Sequence, residues 1–142
     1  MCNKGFTLIE LIATISILCI VLALAVLIID SDIFYLEKMA DEFIMDIRNV
    51  QMECIKTLGN HKISIDIDNR CYYVYDNSVI VKTVIFKDRY QIDYSNKNMA
   101  SVGFDIEGIP VNAGTFKIMD TKTNKMIEIS IVPTTGRTVI KE

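Results

Sequence analysis

Residues Leu11–Ile29 run for nineteen positions without a charge, broken only by the mild polarity of Thr14 and Ser16. A helix from Phe6 to Ile29 would be about 36 Å long at roughly 1.5 Å per residue. A hydrocarbon core is about 30 Å thick, so such a helix is expected to cross it. A helix apolar on every face also fits poorly inside a small globular domain. A secretory signal peptide would have a shorter apolar region and a small-residue cleavage site after it. Here the run is followed by Asp30-Ser-Asp-Ile-Phe34, and no such site is evident. The expectation is therefore a retained single-pass anchor. Lys4 precedes the run and no Lys or Arg recurs until Lys38, which places the N-terminus in the cytoplasm and the bulk of the chain outside.

Glu10 is the anomaly, because a carboxylate at the start of such a run must reach an interface, take up a proton or find a cation. Near the positive end of its own helix it would be favourably placed. A more specific arrangement arises if the chain is cut before Phe6. The new α-amine could then pair with Glu10 of an adjacent copy and turn one acidic residue into an assembly device.

Lys4-Gly5-Phe6-Thr7-Leu8-Ile9-Glu10, followed by the long apolar helix, resembles the prepilin leader of type IV pilins and pseudopilins. The resemblance implies cleavage between Gly5 and Phe6 by a prepilin peptidase, N-methylation of Phe6 and an assembly role for Glu10. It also implies three kinds of partner: the peptidase/N-methyltransferase, the major pilin and other minor pilins met through the N-terminal helix, and a pilus assembly platform in the membrane. ATP would be consumed by separate machinery. A looser likeness joins Phe104–Pro110, Ala113–Phe116 and Pro133–Arg137 to minor pseudopilins of the GspH/FimT type and to minor pilins of Gram-positive competence systems. The leading expectation is a minor component of a competence pseudopilus for DNA uptake. The alternatives are a minor pseudopilin of a type II secretion system, a component of a conventional type IV pilus, or an anchored extracellular binding module outside any filament.

Beyond Asp32 the pattern becomes amphipathic. Leu36, Ala40, Phe43, Ile47, Val50, Cys54 and Leu58 recur at spacings of three and four, the mark of one helical face. Asp41, Asp46, Asn49 and Glu53 are left for the opposite face, and Gly59-Asn60 is a plausible stop. The simplest arrangement is one helix from Phe6 to about Leu58, loosened near Asp30. From His61 the period changes to two, with strands expected at 63–67, 70–75, 79–86, 90–94, 101–106, 115–119, 126–132 and 138–140. The fold class is α+β and type IV pilin-like: a long N-terminal helix packed through its amphipathic half on a small antiparallel sheet domain. The organisation is a leader at 1–5, a membrane and assembly half-helix at 6–29, an amphipathic half-helix at 30–58 and a β-rich domain at 59–142.

Composition removes several functions. Net charge is −3 and the basic residues are scattered, which gives no footprint for direct nucleic-acid binding. His61 is the single histidine. No nucleophile is tied to a base, no phosphate loop occurs, and no catalytic residue, cofactor or metal is expected. Asp66, Asp68 and Asp76 lack the spacing of a calcium loop. Tyr72, Tyr73 and Tyr75 read as ordinary strand aromatics, and Arg137 as a turn residue within reach of another pilin. Among the cysteines, Cys54 and Cys71 could meet in the β-rich part, where an oxidising exterior would permit a disulfide.

Overall fold

The computed structural model describes residues 7–28, 34–95 and 100–141, with side chains for all of these except 25–28. Two helices come first, α1 (Leu8–Ile28) and α2 (Tyr35–Thr57). Eight strands follow: β1 (His61–Asp66), β2 (Cys71–Asp76), β3 (Val79–Ile85), β4 (Tyr90–Tyr94), β5 (Ser101–Gly103), β6 (Thr115–Asp120), β7 (Met126–Ile131) and β8 (Thr138–Lys141). The chain divides into two units, one ending at Ile33 and one beginning at Phe34.

The membrane-spanning half-helix at 6–29 does not stand. Among the described residues no helix is long and apolar enough to cross a membrane. The single-pass placement, with a cytoplasmic N-terminus and an outer domain, rested on that span and is withdrawn with it. The single helix from Phe6 to Leu58 is likewise replaced by α1 and α2, and residues 29–33 between them lie outside the described residues.

In the second unit α2 buries Leu36, Met39, Ala40, Phe43, Ile44, Ile47, Val50 and Cys54, the expected stripe widened by Met39 and Ile44. The helix ends at Thr57, two residues before the expected glycine. Leu58 takes the left-handed conformation itself, at φ 53°, and its side chain is exposed rather than packed. Thr57 secures that end, its hydroxyl donating to Glu53 O at 2.7 Å and accepting from Gly59 N–H at 3.2 Å.

The strands form two four-stranded sheets, ordered β3-β2-β1-β5 (sheet A) and β4-β6-β7-β8 (sheet B). All strand pairs are antiparallel. Asn77 and Asn124 adopt positive φ where the chain reverses after β2 and β6, a conformation Asn tolerates better than most residues. The expected strand at 101–106 stops at Gly103, because Asp105 folds the next residues into a turn by accepting from the N–H groups of Glu107 and Ile109. Alternation along both sheets sends Ile63, Ile65, Tyr72, Ile92, Phe116, Ile118, Ile129 and Ile131 into one core with the α2 stripe. Phe43 joins the sheets: its ring meets Tyr72 of sheet A and Phe116 of sheet B edge-on, each at 4.9 Å between centroids. Such pairs add to burial by roughly 1 kcal/mol each.

Candidate functional site

The start of α1 answers the anomaly of Glu10. Thr7 precedes the helix, and its backbone N–H and side-chain hydroxyl both donate to Glu10 Oε2, at 2.9 and 2.8 Å. Glu10 N–H donates back to Thr7 Oγ1 at 3.3 Å. Thr7-Leu-Ile-Glu10 is thus a capping box, in which residues three apart satisfy each other's helix-end groups. The bond from the Thr7 backbone, followed by that from its hydroxyl, holds the Glu10 carboxyl below the usual carboxylate range. Sequence reasoning passed over this motif, although Thr-x-x-Glu ahead of an apolar run is a recognised helix-start signal. The two hydroxyls within the run are also satisfied locally, Thr14 by Leu11 O and Ser16 by Ile12 O, each at 2.8 Å. What α1 leaves unsatisfied is apolar: Leu8, Ile9, Leu11, Ile12, Ile15, Leu18 and Leu22 are all exposed. Gly5 and Phe6, the expected cleavage and methylation positions, lie outside the described residues.

Cys54 and Cys71 are both free and buried. Cys54 Sγ lies 3.4 Å from His61 O at the start of β1. Cys71 pairs with Asp66 at the end of β1, about 16 Å away at roughly 3.3 Å per strand residue. A disulfide needs Cα atoms within about 7 Å, and the two thiols, which could have met by sequence, stand free. Tyr72 enters the core, while Tyr73 and Tyr75 stack edge-on at 6.3 Å on the opposite side of sheet A. His61 is buried, its Nε2 2.7 Å from Thr57 Oγ1 and its Nδ1 3.4 Å from Asp76 Oδ1.

Two of the segments singled out for their likeness to minor pseudopilins meet on α2. Gln51 Nε2 donates to Gly108 O at 2.8 Å and to Thr135 O at 3.3 Å. Gly108 and Gly136 both take positive φ, 79° and 65°, which a side chain would strain. The two loops thereby clasp one helical amide, a convergence that no local pattern announces.

The N-terminal residues 1–26 match the family model for the prokaryotic N-terminal methylation motif. No curated protein sequence matches the chain. Among solved structures, the type IV minor pilin FimU of Pseudomonas aeruginosa superposes with a TM-score of 0.63 at 15% identity, covering 76% of this chain and 89% of that one. The minor pseudopilin EpsH from the type 2 secretion system of Vibrio cholerae gives a TM-score of 0.58 at 13% identity, over 74% and 93%. The fold is that of a type IV pilin or pseudopilin. In this pilin fold, the capped start of α1 lies within the residues that match the methylation motif.

Proposed function

We propose that the chain is a minor subunit of a type IV pilus or of a type II secretion pseudopilus, incorporated through α1. The observation that carries this reading is a helix apolar on every side and exposed from Leu8 to Leu24, headed by a methylation motif. Such a surface calls for other apolar helices to cover it. The likenesses lie with a conventional pilus and a secretion pseudopilus, and competence for DNA uptake has no feature of its own in the fold.

In this reading a prepilin peptidase cuts between Gly5 and Phe6, and Phe6 is N-methylated. The amine of one copy then pairs with Glu10 of its neighbour. Both Thr7 bonds fall on Oε2 of Glu10, so Oε1 can accept an incoming cation while the cap stays closed. Packing among apolar helices supplies area, and the ion pair supplies register.

The test is mass analysis of the mature N-terminus together with the protein content of sheared filaments. Glu10→Ala should be cut and methylated normally yet be missing from filaments. Thr7→Ala, which loosens the cap but keeps the carboxylate, should still be incorporated. A native protein that retains residues 1–5 in the filament, or Glu10→Ala present at wild-type level, would refute the reading.

A further inference from the structure

Among the described residues β8 ends sheet B and is bonded only to β7. Val132 N–H donates to Arg137 O at 2.9 Å, and alternation from that pair turns the backbone groups of Thr138 and Ile140 to the open side. Beside this edge is a groove of about 520 Å³ between α2 and β8, with Ile44, Met45 and Arg48 on one wall and Arg137, Thr138 and Val139 on the other. Thr138 Oγ1 is buried with no hydrogen bond among the described residues. Neither Arg48 nor Arg137 forms an ion pair among the described residues. Asp41 is the carboxylate that lines the same groove, so two guanidinia face one acid in a protein of net charge −3.

We infer that this edge and groove receive an extended acidic segment of another polypeptide, added as a fifth strand of sheet B. A strand is the element that can use the open backbone groups of Thr138 and Ile140, because a helix satisfies its own. A carboxylate on that strand gives the guanidinia the planar, two-oxygen partner they bind best. Met45 and Ile44 cover the apolar side chains between. A nucleic acid would require a longer track of cations than two arginines beside an aspartate. The inference is independent of the filament reading, since every residue it uses lies in the unit from Phe34 onward.

The experiment titrates the full chain, dispersed in detergent, with a fluorescein-labelled capped heptapeptide of alternating Val and Thr carrying one central Glu, followed by anisotropy. Saturable binding is expected, weakened about tenfold by Arg48→Ala or by Arg137→Ala, and by replacing the peptide's Glu with Lys. Ile140→Pro removes an open-edge N–H without touching the ladder to β7, so it should abolish binding and leave the urea midpoint unchanged. Absence of binding, equal binding of the Glu and Lys peptides, or indifference to Ile140→Pro would overturn the inference. So would tighter, Arg48- and Arg137-dependent binding of a DNA oligonucleotide, which would assign the groove to phosphate.

Discussion

Asp46 sits where helical spacing turns it toward solvent, yet it is buried between α2 and sheet A. Tyr72 donates to its Oδ2 at 2.7 Å, and Lys82 reaches both oxygens at 3.0 and 2.7 Å while also holding Glu42 at 2.8 Å. Burial, reinforced by the neighbouring Asp46, holds the Tyr72 hydroxyl far above its ordinary range, so it remains a donor. Removing one partner strands the others. Tyr72→Phe should cost about 1 kcal/mol and Asp46→Ala about 3 kcal/mol, measured by urea unfolding. The double variant should cost little more than Asp46→Ala alone, because the two side chains share one bond. A second acid sets the pH response. The Arg89 guanidinium, at 2.7 and 2.6 Å from the two oxygens of Asp120, holds that carboxyl well below the usual carboxylate range, with help from Thr123 and the Lys122 N–H. Its contribution is therefore complete above the unfolded value of about 3.9 and is lost as pH falls through the lower folded value. Asp120→Asn should accordingly flatten the decline of stability below about pH 4, followed as the urea midpoint against pH.

At the scale of elements, what the chain spells out locally is what it builds locally. The three- and four-residue spacing from Leu36 to Cys54 and the alternation from Ile63 onward announce α2 and the strands, because a helix or strand buries the face its own period creates. The end of α2 was less legible: Leu58 accepts a left-handed conformation that favours glycine, held by Thr57 hydrogen bonds rather than by its own chemistry. The partners of Asp46 and Gln51 could not be read at all, since each is a meeting of distant segments. Gln51 shows this best, its acceptors lying 57 and 84 residues downstream. The clasp also predicts a sharp local intolerance. A β-carbon on Gly136 would meet Gln51 Nε2, and would lie 2.7 Å from Gly108 O, at a φ of 65°. Gly136→Ala should thus lower stability by about 2–3 kcal/mol, combining left-handed strain with overpacking. Gln51→Ala, which leaves the backbone relaxed, should cost about 1 kcal/mol. Urea midpoints of the two variants decide it, and equal effects would mean that the amide rather than the backbone holds the loops.

For the whole molecule, the decisive fact is that the unit from Phe34 onward holds a hydrophobic core of its own, running from Leu36 to Ile131 among the described residues. Phe43 and its neighbours on α2 bind sheet A to sheet B, so neither sheet has a separate apolar interior and the two should melt together. The leader signal was legible because it is a short contiguous word. A membrane span is what the length and apolarity of the same stretch predict, and the described residues hold no helix long and apolar enough to bear that out. These facts divide the labour between the two units and make the division testable. A fragment of residues 34–142 should fold by itself, with an unfolding free energy within about 1 kcal/mol of the full chain, as expected for a unit that holds its own core. It should unfold in one transition seen alike by far-UV circular dichroism and by tyrosine emission, which is usable because the chain has six tyrosines and no tryptophan. The same fragment should be absent from sheared filaments, since it lacks the apolar helix that would place it there. Two separate transitions would mean that the sheets are independent. A fragment that fails to fold would mean that this core does not suffice by itself.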